Sequence, residues 1–139
     1  MSWTRRTIFS AIAVVFSTAA PQLFAQPLDF AAYKSRIEPI FLKKRPGHAR
    51  CVVCHEASNS AFRLQQRPQG SSGWSEDQSR KNFENLSKLV SPGNPEKSRL
   101  LLHPLAHDAG GDLFHSGGDQ FTTKDDPDWK TMADWVRGK

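Results

Sequence analysis

Apolar side chains recur at three- to four-residue intervals in three stretches of the chain, the spacing of an amphipathic helix. The first stretch holds Phe30, Tyr33, Ile37 and Ile40/Phe41, which predicts a helix from about Leu28 to Lys43 with Asp29 as its N-cap. Pro39 sits inside that pattern and should kink or end it, leaving two shorter pieces. In the second, Ser75-Glu76-Asp77-Gln78 has the form of a capping box and is followed by Phe83, Leu86, Leu89 and Val90, up to a stop at Ser91-Pro92-Gly93. Asn94 and Pro95 then open a short turn that carries Leu100, Leu101 and Leu102. The third pattern is the clearest: Asp126 as N-cap, Pro127 at the first helical position, Trp129, Met132, Ala133 and Val136 on one face, Trp135 beside it and Gly138 near the end. No stretch alternates as a strand does, and Gln65 to Gly73 reads as an exposed polar loop. The prediction is a mainly α domain with long loops.

A length of 139 residues suits one domain, and 9 Gly with 9 Pro imply many turns around a thin core. Small cores of this kind often need a metal, a disulfide or a cofactor to hold them together. Residues 1–25 read as a cleavable signal peptide. Arg5 and Arg6 form the positive region, Ile8 to Ala20 the apolar stretch and Leu23-Phe24-Ala25 the cleavage site. This implies export, to a periplasm or beyond, and leaves residues 26–139 as the mature domain. The alternative, an uncleaved membrane anchor, is disfavoured because the apolar run is shorter than the ~20 residues of a spanning helix. Arg5 and Arg6 are the only charged residues before position 26, so the mature chain carries 17 basic and 14 acidic residues, a net charge of +3. So small and scattered an excess gives no reason to expect a nucleic-acid partner.

Both cysteines fall in Cys51-Val52-Val53-Cys54-His55. This spacing lets two thioethers form with the two vinyl groups of one haem and holds the next residue beneath the iron. Cys51 and Cys54 are therefore predicted to attach haem c covalently, with His55 as the proximal axial ligand of its iron. A Cys51–Cys54 disulfide or a thioredoxin-like redox pair would use the same two cysteines, but neither needs His55. With 5 histidines in 139 residues, one would follow Cys54 by chance only about 4% of the time. A zinc site is a further alternative, and His103 and His107 are the one pair spaced to complete it.

The order of a helix, a Cys-x-x-Cys-His motif and a final aromatic helix resembles the class I cytochrome c family over most of residues 28–138. Locally, Pro92-Gly93-Asn94-Pro95-Glu96-Lys97-Ser98-Arg99-Leu100-Leu101 is similar to a stretch in short cytochrome c domains of planctomycetes and acidobacteria. The resemblance implies a small helical domain wrapped around one covalent haem, serving electron transfer with a redox partner protein. It also implies a distal methionine from a loop before the last helix, and here the chain departs from the pattern. Met132 is the only methionine after the initiator and falls on the apolar face of a helix, where core packing is the simpler role. The expected loop instead reads Gly110-Gly111-Asp112-Leu113-Phe114-His115-Ser116-Gly117-Gly118, with glycines that let backbone approach a haem face. His115 is the preferred distal ligand, 60 residues after His55 and so similarly spaced to the family's ligand pair; His103, His107 and Met132 are the alternatives. Two imidazoles imply a lower potential than imidazole plus thioether. The competing functions are a haem enzyme or gas sensor with an open sixth position, and a haem-bearing subunit of a membrane respiratory complex.

Overall fold

The computed structural model describes residues 26–56 and 58–139, and the expected signal segment lies outside them. The first helical run starts where Asp29 caps it, its carboxylate accepting from the amides of Ala31 at 2.7 Å and Ala32 at 3.2 Å. It passes from α1 (Phe30–Ala32) through a π-helical turn (Tyr33–Ile37) into α2 (Glu38–Leu42). The expected break at Pro39 is thus a widening of one continuous helix. Proline has no N–H, and its ring crowds the carbonyl one turn back. The π turn, in which the Glu38 amide reaches the Tyr33 carbonyl, lengthens the loop of backbone just before the ring.

The Cys-x-x-Cys-His motif itself forms a short helix, α3 (Cys51–His55). In α4 (Glu76–Ser87) the capping box is complete: Ser75 Oγ accepts from the Gln78 amide at 3.3 Å and Gln78 Oε1 from the Ser75 amide at 3.1 Å. This helix ends before Leu89 and Val90, and the Leu89 carbonyl instead accepts from the Leu100 amide at 3.1 Å. A 3-10 turn (Pro95–Lys97) leads into α5 (Arg99–Leu102). Asn94 receives the Ser98 hydroxyl on its carbonyl at 2.9 Å, and its side chain makes no capping bond. The loop expected between Gln65 and Gly73 is exposed mainly at its tip. Its start is tied down by Asn82 Oδ1, which accepts from the Gln65 amide at 2.7 Å, and by an Arg67–Glu56 ion pair at 2.6 Å.

The last helix, α6 (Pro127–Val136), is capped by Asp126, which accepts from the amides of Asp128 at 2.8 Å and Trp129 at 3.3 Å. It buries Trp129, Met132, Ala133, Trp135 and Val136. Trp135 therefore does not lie beside the packed face but is part of the core. Its ring centre is 6.1 Å from that of Tyr33, and its indole N–H donates to the Asp29 carbonyl at 2.9 Å. On its other flank, Trp129 Nε1 reaches the Leu101 carbonyl at 3.4 Å. The α6 helix so joins the two ends of the domain around one core. The described residues are mainly helical and contain no strand, only an isolated parallel bridge between Leu105 and Phe121. Among them, no helix is long and apolar enough to cross a membrane.

A polar group lies under the π turn. Glu38 is 7% exposed, and the Tyr33 and Ser79 hydroxyls lie beside its carboxyl. Burial pushes the Glu38 carboxyl above its ordinary value, with Ser79, Lys34 and Tyr33 opposing and Glu76 reinforcing. A carboxyl raised in the fold favours folding in its protonated form, and that contribution is lost as pH rises through the folded value. Glu38→Gln is expected to raise the melting temperature at pH 8 and to leave it nearly unchanged at pH 4. Equal shifts at both pH values, read by circular dichroism, would show that ionisation is not the cause.

Candidate cofactor site

The α3 backbone decides where the motif's side chains point. Residues three and four apart share a helix face, so Cys51, Cys54 and His55 stand together on one side. All three line a mainly apolar cleft, with Ile40, Phe41, Phe62, Leu100 and Phe121 among its walls. Both thiols are unbridged. Burial pushes the Cys51 thiol above its ordinary value, against the opposing charge of Arg45. A thiol of that kind is a poor thiolate nucleophile, which counts against the thioredoxin-like alternative.

The Nδ1 atom of His55 lies 2.6 Å from the Phe62 carbonyl oxygen. A carbonyl can only accept, so Nδ1 carries the proton and Nε2 keeps its lone pair for a ligand. Burial holds the imidazole below its ordinary value, with the Phe62 carbonyl opposing and the neighbouring His115 and His103 reinforcing. The ring is thus neutral near pH 7, the form that binds metal.

His115 is brought to the same cleft by the 103–121 segment. That segment folds back on itself: the Ala106 amide donates to the Phe121 carbonyl at 2.8 Å, and the Gln120 amide to the Pro104 carbonyl at 2.8 Å. Gly111 serves this closure. A Cβ there would stand 1.8 Å from the Leu105 carbonyl oxygen, so its lack of a side chain admits neighbouring backbone. The His115 Nδ1 is tied to the Gly118 carbonyl at 2.7 Å, which again leaves Nε2 free. The His55 and His115 rings lie with centres 6.3 Å apart and planes within 13° of parallel. A metal–imidazole bond of about 2.0–2.1 Å places the centres of two rings that share one ion through Nε2 about 6 Å apart.

The other candidates separate clearly. His103 and Met132 line the cleft, Met132 as a core residue 2% exposed. His107 is exposed, with Nδ1 3.3 Å from the Gly111 carbonyl, and it does not line the cleft. The zinc alternative that paired His103 with His107 is therefore not assembled. Among the described residues, no group of three or more His, Cys, Asp or Glu side chains is arranged to hold a metal ion. A haem iron asks less, since the porphyrin supplies four of its six ligands and the protein only two. Two free thiols on the face of an oriented histidine, with a second oriented imidazole lining the same mainly apolar cleft, fit that group.

Several participants carried no signal in the chain. Phe62 contributes through its backbone carbonyl, which any residue type supplies. Asp112 sits 2.8 Å from His103 Nδ1, a contact made only when the loop folds. Arg50 and Arg99 also line the cleft, as cations able to face the carboxylates of a haem. Comparison with family models, curated proteins and solved structures finds no match for this chain.

Proposed function

We propose that this chain is an exported monohaem c-type cytochrome of class I-like form that carries electrons between partner proteins. The observation that carries this reading is the close, near-parallel pair His55 and His115, each held through Nδ1 by a backbone carbonyl, in the cleft that the two free thiols line. Cys51 and Cys54 would hold the haem covalently through thioethers, and His55 and His115 would ligate its iron. When bound, the haem supplies a reversible one-electron change at iron. The chain's own part is to fix both imidazoles in one tautomer and to exclude water with the apolar walls. Val53, Leu113 and Phe114, the exposed large apolar side chains among the described residues, adjoin Cys54 and His115 in the chain. They suit a surface that meets a redox partner, either soluble or part of a membrane respiratory complex.

Spectroscopy of the purified holoprotein tests the ligation. A bis-imidazole centre is expected, with a lower midpoint potential than imidazole plus thioether and no methionine-to-iron charge-transfer band. If that band is present and lost in Met132→Leu, Met132 rather than His115 is the ligand. The alternative of a haem enzyme or gas sensor rests on the exposure of the His115 loop. Carbon monoxide separates the two: a six-coordinate carrier takes it up slowly or not at all, and an open site at once.

A further inference from the structure

His103 shares the cleft with His115 but stands on a different kind of element. It closes α5, its amide donating to the Arg99 carbonyl at 3.0 Å, two residues after the buried Leu101. Its Nδ1 lies 2.8 Å from Asp112 Oδ2. That contact fixes the ring and leaves Nε2 as the nitrogen open to a metal. The His103 and His115 ring centres are 4.9 Å apart, with planes at 78°.

His115 is held less firmly. Its loop places Leu113 and Phe114 in solvent, 84% and 74% exposed, and the ring is tied only to Gly118 within the same loop. Segments with few buried apolar contacts open at a lower free-energy cost than packed helices do. An iron has a single distal position, so two imidazoles within reach of it compete rather than bind together.

We propose that His103, oriented by Asp112, whose own amide stays tied to the Leu102 carbonyl at 3.1 Å, is a reserve ligand that takes the distal position whenever the loop beyond Asp112 carries His115 away. The distal side is then a two-imidazole exchange site. Loop opening replaces one nitrogen by another, and the iron stays closed to small gaseous ligands. Asp112 acts as a positioning residue for His103. The inference rests on the haem-binding reading above.

Four holoproteins test it: wild type, His115→Ala, His103→Ala and the double variant, each first assayed for covalent haem and helical content. Wild type without covalent haem would sink the parent reading, and the exchange with it. With haem in place, His115→Ala is expected to remain ferric low-spin by electron paramagnetic resonance. The double variant turns high-spin, and its ferrous form takes up carbon monoxide at least about ten-fold faster than His115→Ala does. Adding Asp112→Ala to His115→Ala weakens ligation by His103 about 10–100-fold, so that a high-spin fraction appears. A haem-loaded, folded His115→Ala that is already as high-spin as the double variant overturns the exchange. If His115→Ala does not fold, His103→Ala alone decides: carbon monoxide uptake faster than in wild type supports the exchange, and an unchanged rate overturns it.

Discussion

The Cys51→Ala/Cys54→Ala double variant is expected to lose all haem that survives denaturing electrophoresis, while each single variant keeps a weaker band through its remaining thioether. The reason lies in the register of α3, which sets both thiols on the face that carries His55. Neither sulfur is consumed elsewhere, since both are unbridged. His55→Ala should behave differently. Its thiols remain, so a covalent band persists, but the axial imidazole is gone and the low-spin spectrum with it. Stability should follow the haem, because a domain of this size has a thin core and a bound haem would cover the cleft's apolar walls. The measurement is a haem stain and melting curve on protein expressed with a c-type haem attachment system. Wild-type protein that takes up no covalent haem under those conditions would end the proposal.

Arg45→Ala is expected to cost about 2–3 kcal/mol, below the range of a fully buried pair because both carboxylates keep some contact with water. Arg45 is 9% exposed, and its guanidinium reaches Asp126 at 3.0 Å and also Asp128. It lies 4.5 Å from the centre of the Phe121 ring. One side chain thus joins the approach to α3, the start of α6 and the end of the 103–121 segment. Its removal strands two half-buried carboxylates, one of them the N-cap of α6; Lys43, 2.8 Å from Asp128, offsets only part of this. Against a total of about 5–15 kcal/mol for an ordinary domain the loss is large. Arg45→Lys should recover little of it, since an ammonium cannot serve two carboxylates as a planar fork does.

The same cluster sets a pH dependence. Burial pushes the Asp126 carboxyl up, but the Asp128 amide, the Arg45 guanidinium and the Trp129 amide together hold it below its ordinary value. A lowered carboxyl stabilises the fold above its unfolded value, and the contribution is lost as pH falls through the folded one. The gap between wild type and Arg45→Ala should therefore narrow in acid. Urea unfolding at pH 7 and pH 3 checks both statements. A loss below about 1 kcal/mol at pH 7 would place the pair with exposed ion pairs of little consequence.

Much of the helical framework was legible in the chain because its signals are local. Asp29, the Ser75–Gln78 box and Asp126 with Pro127 each act within four residues, and all three cap the predicted helices. Pro39 was legible as a disturbance, but whether the helix would break or widen depended on what packed against Tyr33 and Ile37. The burial of Trp135 was hidden for a similar reason. Its position lies beside the main apolar stripe, and only the arrival of Tyr33 and the Asp29 carbonyl makes that side an interior.

By itself the sequence determined the thiol pair and its histidine, since a five-residue motif carries its own geometry once it is helical. The other half of the site was decided by tertiary structure. Of the other four histidines the chain favoured His115, through its glycine-flanked loop and its 60-residue separation from His55, but left His103 and His107 open. The Pro104, Ala106 and Gly111 backbone contacts select among them, placing His115 opposite His55, keeping His103 beside it on Asp112 and leaving His107 outside. Such contacts depend on which backbone groups meet after the loop closes, and backbone groups are the same at nearly every residue, so the pattern of side chains leaves no trace of them.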